Sequence, residues 1–512
     1  MPDNNTITKI TGPPGCGKTT EILRLVKQAM QRYFPMQIGA VSFTNAAVET
    51  IKDRIASEGV DRTMVKNVRT LHSHCFKLLG LNTKNIAEYN LSSFNRQHPQ
   101  FGVKDTKADE GSEKNFQRRA TGTYLYNQMN LMRNHCIDRD KWPPDITAFG
   151  NAWFRWMEDD DMWDFTRMLE VTADKNLYPE NLEILFVDES QDLTPLQMKV
   201  IMTWQKEIGI TYFAGDSDQC IFRFGGAVPE AFINLKYSTL THLEQSYRVP
   251  PAVHAYATRI LQQIKNRENT TYHPDTRRGT GELLTARKPD LTMDGSHMII
   301  CRCNYQVNNW INWLTKKKIL WSNPYRLEDL SWNPQQTKTW RAVTYYQRFM
   351  QGGTITLDEL HVMIDCVVAK DNIRRGFKNY AKNYKCEEGY VDMFDQILLG
   401  LTDRFMDTSI SASEKFKIVG RSEPVLLYML DRQESLADKP RVIVGTIHSV
   451  KGGEADNVWI DPSIPGLIWK EMRKDERTYY DEARVAYVAA TRARNRLGIL
   501  SSNSRSPIYP TT

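Results

Sequence analysis

Apolar and polar residues alternate through Thr6-Ile7-Thr8-Lys9-Ile10, the period of a strand, and Ile22, Leu25, Val26 and Ala29 then recur at helical spacing. Between them lies Gly12-Pro13-Pro14-Gly15-Cys16-Gly17-Lys18-Thr19-Thr20, so the pattern predicts strand, glycine-rich turn, helix. A buried strand is expected over Gln37–Phe43, with a helix opening at Thr44-Asn45, and a short strand over Val68–Ser73 ending in Thr70, His72 and Ser73. Glu183–Val187 reads as a hydrophobic strand delivering Asp188 and Glu189 to its C-terminal end. Thr194-Pro195-Leu196-Gln197 reads as a capping box, opening a helix with Leu196, Val200, Trp204 and Ile208 on one face. Strands follow at Thr211–Ala214 and Arg441–Gly445, and a helix from Asp481 to Arg494 is expected to carry Arg484 and Arg492.

Two stretches break the rhythm. Residues from about Cys75 to Phe165 show no clear period and read as an insertion. Arg326 to Leu436, with Tyr345, Tyr346, Phe349, Met350, Phe394 and Ile397-Leu398-Leu399 among many charges, reads as a small helical domain. The tail, Ser501 to Thr512, is expected to be mobile.

With 512 residues, 41% hydrophobic and 25% charged, the chain has ordinary globular composition and room for two to four domains. No apolar run approaches a membrane span, and the chain enters its glycine-rich turn without a signal peptide, so a soluble, cytoplasmic protein without a membrane partner is expected. The net charge of +6 permits nucleic acid without requiring it. The eight cysteines have no metal-site spacing and are expected to be reduced; Cys301 and Cys303, read on one strand, are expected to pack in a core. Glu158-Asp159-Asp160-Asp161 reads as a solvated acidic run, as does Lys316-Lys317-Lys318 as a basic one.

The chemistry concentrates at the glycine-rich turn. Gly12, Gly15 and Gly17 let backbone N–H groups curl round a polyphosphate while the helix N-terminus, at Lys18, Thr19 and Thr20, faces the same anion. Lys18 is expected to reach the outer phosphates, Thr19 and Asp188 to hold magnesium, and Glu189 to activate the attacking water. Gln219 is a candidate sensor of the terminal phosphate, and Phe222 and Phe224, beside glycines, are either core residues, the commoner place for phenylalanine, or exposed base-stacking platforms. Tyr247-Arg248 pairs an aromatic ring with a cation, which suits either adenine stacking with phosphate contact or a surface turn. The turn by itself leaves open phosphoryl transfer, a conformational switch or mechanical work.

In order, GPPGCGKTT, AVSFTNAAVETIKDRI, VRTLHS, LFVDESQDLTPLQ, AGDSDQCIFRFGGA, LEQSYR, VGTIHSVKGGEADNVWI and EARVAYVAATRAR resemble the motifs of superfamily 1 helicases of the UvrD/Rep group. The resemblance is dense within the motifs, weak between them, and spans almost the whole chain. It implies an α/β fold of two RecA-like P-loop cores with parallel sheets, each carrying a mainly helical insertion, with ATP in the cleft between the cores and single-stranded DNA across their top. The implied division is 1–75 with 166–247 for the first core, 76–165 for its insertion, 248–325 with 437–512 for the second core and 326–436 for the second insertion. Gln219 resembles the phosphate sensor, Tyr247 the adenine stacker, Glu454 the ribose contact, and Arg248 and Arg492 two arginine fingers. DNA contacts are implied at Phe43, Thr44, Asn45, Thr70, His72, Phe222, Phe224, Arg302, Asn304, Thr446, His448 and Ser449.

The expected activity is ATP- and magnesium-dependent unwinding of duplex DNA by a 3'-to-5' single-strand translocase. The alternatives are a protein-displacing remodeller or loader, a 5'-to-3' motor, or an RNA motor. The resemblance also implies a monomer acting on single-stranded and partly duplex DNA, with a replication or repair protein as partner through 326–436, in the host cytoplasm if the source is viral. Three departures matter. No glutamine precedes Gly12 to read adenine, so other NTPs are expected to be accepted. The family's Trp-Arg corresponds to Phe224-Gly225, with the arginine displaced to Arg223. Both insertions are shorter than in the large repair helicases.

Overall fold

Ile184 and Phe186 face one side of their strand, Leu185 and Val187 the other, and all four are buried. Such a pattern needs a sheet covered by helices on both faces. The computed structural model, which describes residues 6–42, 45–57, 59, 66–104, 122–265, 267–268, 270–385, 389–396, 399–418, 420–502 and 506–510, has that sheet. Its strands are β1 (Thr6–Thr11), β2 (Ile38–Ser42), β3 (Val68–Thr70), β4 (Ile184–Val187), β5 (Ile210–Gly215) and β6 (Thr239–His242), in the order β3-β2-β4-β5-β1-β6. All the pairings are parallel, with Thr6 opposite Ile210 and Ile38 opposite Ile184. One face is covered by the helices Lys18–Ala29 and Asn45–Ser57 through Ile22, Val26, Val48 and Ile51, the other by Leu71–Leu78 and Pro195–Ile208 through Leu71, Val200 and Trp204. Because the strands are parallel, the loops after β1, β3, β4 and β5 leave from one edge, where open α/β sheets bind ligands.

The chain divides into two compact units, Met1–Lys288 with Ile460–Thr512, and Pro289–Trp459. The strands after β6 are β7 (Glu282–Ala286), β8 (His297–Cys301), β9 (Trp321–Ser322), β10 (Ile355–Thr356), β11 (Tyr390–Val391), β12 (Val442–Thr446), β13 (Ala455–Ile460) and β14 (Ala493–Leu500). β10 and β11 form an antiparallel ribbon. The others complete a second six-stranded sheet: β7 pairs parallel with β14 in the first unit, and β13-β8-β12-β9 is the order in the second, with β12 parallel to both β8 and β9. Two six-stranded sheets flanked by helices make the architecture RecA-like α/β. No helix among the described residues is long and apolar enough to cross a membrane, and none of the seven described cysteines is in a disulfide.

The stretch read as lacking a period has one. Ile146, Phe149, Trp153 and Trp156 recur every three or four residues on the helix Pro144–Asp159 and are buried with Phe94 and Met129 from neighbouring helices. Rings pack closely there, with Phe94 edge-on to Trp153 at 4.9 Å. The core also holds a charge cluster: Arg133 forks onto Asp164 at 2.6 and 3.0 Å and onto Glu170 at 2.9 and 2.7 Å, and Trp153 Nε1 donates to Asp164 at 2.8 Å. Asp160 is drawn in from the acidic run, accepting from the Trp156 indole at 2.8 Å and from Gln97 at 3.0 Å.

Glu88 sits beside this cluster, and burial together with the Asp164 charge pushes its carboxyl up to about 7. Its Oε1 accepts from Tyr126 Oη at 2.7 Å and from the Phe165 amide at 3.1 Å, while Oε2 is buried without a partner. A folded-state pKa above the unfolded one means the native state holds a proton that the unfolded chain has released. Its contribution is therefore full below about pH 4.5 and is lost as pH rises through about 7. Glu88→Gln should raise the melting temperature at pH 8 and leave it nearly unchanged at pH 5; an equal effect at both would place the cause outside this titration.

Four local expectations are corrected. β3 ends at Thr70, whose Oγ1 accepts from Ser73 N at 3.3 Å, so His72 and Ser73 lie in the first turn of a helix instead of ending the strand. Cys301 ends β8, but Cys303 caps the next helix, Asn304–Lys316; both are buried. The helix expected at 481–494 runs Glu476–Ala490 and leaves Arg492 in the connection to β14. Finally, residues 506–510 of the tail are packed down: Tyr509 is buried, Gln263 donates to Ile508 O at 2.9 Å and Tyr256 Oη to Pro510 O at 3.2 Å. The second insertion is helical over Lys338–Met350 and Leu357–Cys366 with Tyr346 and Phe349 buried; Ile397 and Leu398 lie outside the described residues, as does the side chain of Phe394.

Candidate nucleotide site and nucleic-acid contacts

The turn after β1 can close only through glycine. Gly15 and Gly17 have φ of 72° and 83°, the region L side chains rarely adopt, and a Cβ on Gly15 would lie 2.4 Å from Arg248 Cβ. Gly17 caps the helix Lys18–Ala29, aiming its first amides into the turn. Lys18 Nζ donates to Gly12 O at 2.8 Å and Pro13 O at 3.2 Å, lying across the mouth of the loop. Thr20 follows in the first helical turn.

The acidic side comes from β4. Thr19 Oγ1 donates to Asp188 Oδ2 at 3.3 Å, and Asp188 Oδ1 accepts from the Glu189 amide at 2.9 Å. Burial, then the neighbouring Glu189 carboxylate, pushes Asp188 up to about 6. A hydroxyl and a buried carboxylate side by side suit a hard cation that takes its remaining oxygens from phosphates and water. Among the described residues no three His, Cys, Asp or Glu side chains gather into a fuller metal set. Glu189 itself has φ 51°, uncommon for a non-glycine residue, and its Oε2 accepts from Gln191 Nε2 at 2.5 Å.

Gln191 and Asp216 had no assigned part, yet they join β4 to β5. Gln191 Oε1 accepts from the Asp216 amide at 2.9 Å, and Asp216 Oδ2 accepts from Gln219 Nε2 at 2.7 Å. Gln219 Oε1 in turn accepts from Arg492 Nη2 at 3.0 Å. Arg492 is 1% exposed, and its Nε donates to Val488 O at 2.9 Å. Burial raises Asp216 to about 6 against the pull of Lys18. Arg267 fixes the same loop by a two-pronged contact to Asp218, at 3.1 and 2.5 Å. Gly215-Asp216-Ser217-Asp218 directly after a strand was the available signal for these acids.

A third segment is laid along the glycine-rich turn. Ser246 Oγ donates to Pro14 O at 2.7 Å and Tyr247 N to Gly15 O at 2.9 Å, bringing Arg248 against Gly15. Tyr247 is 55% exposed, as a stacking ring needs to be. The first unit thus brings together Lys18, Thr19, Asp188, Glu189, Gln219, Tyr247, Arg248 and Arg492. Glu454 belongs to the second unit, beside Gly453, on which Tyr325 packs so closely that a Cβ would meet its ring at 2.5 Å.

The residues expected to contact DNA fall in both units. Phe224 is exposed and Phe222 half-buried, their rings edge to face at 6.0 Å; Arg223 is held by Glu230 and Asp481 at 3.2 and 3.4 Å. His72 packs edge-on to Phe165 at 5.8 Å, and burial lowers its pKa to about 4, so its ring is neutral at pH 7. Thr70 is committed to its cap. Phe43, Thr44 and the Asn45 side chain lie outside the described residues. In the second unit Arg302 and Asn304 flank Cys303 at the end of β8 and are half-buried. Thr446 and His448 are buried; Thr446 Oγ1 accepts from Ser449 N at 3.2 Å, and Ser449 Oγ donates to Thr446 O at 2.8 Å.

Residues 3–239 match the UvrD/REP helicase N-terminal domain and residues 370–504 the UvrD-like helicase C-terminal domain. The chain belongs to the UvrD-like family of superfamily 1 helicases. It is 20% identical over 620 aligned positions to YjcD of Bacillus subtilis, provisionally named an ATP-dependent DNA helicase; that alignment covers 98% of this chain and 80% of YjcD. It is 23% identical over 277 positions to the ATP-dependent DNA helicase PcrA of Staphylococcus aureus, covering 50% of this chain but only 38% of PcrA. Among solved structures, the Arterivirus nonstructural protein 10 helicase aligns over 99% of this chain and 63% of its own, at 12% identity and a TM-score of 0.35, a likeness too weak to bear on the fold.

Proposed function

We propose that this protein is an ATP-dependent DNA helicase that translocates 3'-to-5' along single-stranded DNA and so separates duplexes. The observation that carries the reading is the continuous set of contacts Thr19–Asp188, Glu189–Gln191, Gln191–Asp216, Asp216–Gln219 and Gln219–Arg492. This set links the phosphate-facing groups to an arginine far along the chain. Lys18 and the loop amides bind the triphosphate, Glu189 takes a proton from the attacking water, and Gln219 with Arg492 responds to the terminal phosphate. Magnesium, held by Thr19 and Asp188, would neutralise charge on the phosphate oxygens. Tyr247 stacks on the base. The motor cores are 1–75 with 166–247 and 248–325 with 437–512; the insertion at 326–436 recruits a replication or repair protein, and the active species is a monomer.

Strand displacement with 3'-tailed, 5'-tailed, forked and RNA-containing substrates tests the reading. A 3'-tailed duplex should open in preference to a 5'-tailed one; failure on every tailed duplex would remove helicase action even if ATPase survives. Phe224, exposed beside Phe222, is expected to stack on a base. Phe224→Ala should therefore weaken single-strand binding by about 1–3 kcal/mol in a fluorescence-anisotropy titration at fixed salt, leaving DNA-free ATPase intact. Unchanged affinity would exclude Phe224 from the contact.

A further inference from the structure

The ring assigned to the base is itself held by a residue no motif contains. The segment around His273–Arg277 runs beside Glu244–Val249, with Ser246 N donating to His273 O at 2.9 Å, His273 N to Glu244 O at 2.7 Å and Asp275 N to Val249 O at 2.8 Å. At its end the Arg277 guanidinium lies over the Tyr247 ring, 5.0 Å from the centroid. Three further contacts fix it there: Nε to Asp275 Oδ1 at 2.8 Å, Nη2 to Asp275 Oδ2 at 2.9 Å, and Nη2 to Tyr247 O at 3.1 Å. The Asp275 carboxylate is 1% exposed and takes a further bond from the Arg277 amide at 3.0 Å, so the anchor is rigid although Arg277 is 63% exposed.

We propose that Arg277 is a positioning residue for nucleotide binding, which clamps one face of Tyr247 so that the other face is presented to the nucleobase. The proposal rests on the assignment of Tyr247 as the base stacker. A planar guanidinium fits this place because it stacks on the ring and forks onto a carboxylate at once, which an ammonium cannot do. Tyr247 N is bonded to Gly15 O, so fixing the ring fixes the base relative to the phosphate loop. Ordering the ring before the nucleotide arrives removes an entropy cost from binding and leaves the chemical step alone. Arg277 therefore acts on affinity and not on turnover.

The test is a double-mutant cycle on ATP hydrolysis by the full chain. Arg277→Ala should raise the KM for ATP about five-fold, the scale of an exposed cation–ring contact, with kcat within two-fold. Tyr247→Ala should raise KM at least as much, and adding Arg277→Ala to it should raise KM no further. An Arg277→Ala effect that persists in full without the tyrosine, a loss confined to kcat, or no effect would each overturn the clamp. If Tyr247→Ala leaves KM unchanged, the stacking assignment and the clamp fail together; if it raises KM while Arg277→Ala does not, only the clamp fails.

Discussion

Arg492→Ala should lower ATP turnover about a thousand-fold or more, the range by which an arginine finger accelerates phosphoryl transfer. Charge spreading over the phosphoryl oxygens is stabilised most by a cation already in place and shielded from water, and Arg492 is 1% exposed with its Nη2 on Gln219. Removing it also leaves Gln219 Oε1 without that donor, so Gln219 should lose its orientation and both effects fall on one step. Arg492→Lys restores charge without the two-pronged geometry and should recover little. The structural alternative is separable, because a strut predicts a lowered melting temperature with turnover per folded molecule preserved. Near-normal turnover in Arg492→Ala, measured alongside its melting curve, would reduce the residue to that strut.

The reach of the sequence follows from how local each feature is. The turn at Gly12–Thr19 and the acids after β4 were legible because their chemistry demands particular residues at fixed spacing beside a strand. The capping box at Thr194 was legible for the same reason, and is formed with Gln197 N donating to Thr194 Oγ1 at 3.2 Å. Lys9 was not. A lysine in a strand carries no local sign that it will be enclosed, yet it is 1% exposed, paired with Glu268 at 2.6 Å and 4.6 Å from the Phe232 ring centroid. Its partners lie more than two hundred residues away, where no local pattern can announce them. Asp218 had a local signal, but its pairing with Arg267, 49 residues further on, had none. The period of the helix Pro144–Asp159 went unread for another reason, although the resemblance implied a helical insertion there: Phe149, Trp153 and Trp156 carry it among polar and aromatic neighbours that blur it. The tail failed because prolines and polar residues suggest freedom, whereas Ile508 and Tyr509 are buried.

Glu189→Gln should still bind ATP and should slow hydrolysis about a hundred- to ten-thousand-fold, the contribution of a positioned general base. The substitution keeps an oxygen that can accept from Gln191 and keeps the side chain's size, so the left-handed backbone at φ 51° and the bridge through Gln191 to Asp216 should survive. What disappears is the capacity to take a proton. Backbone strain held at a carboxylate next to a buried Asp188 is what a site fixing one oxygen toward a water would need. Nucleotide binding by equilibrium titration and hydrolysis under single-turnover conditions separate the two steps. Lys18→Ala, which removes the cation over the loop, should instead weaken binding itself. A Glu189→Gln protein that hydrolyses ATP at the native rate would withdraw the proton-acceptor role from Glu189 while leaving the phosphate loop as it stands.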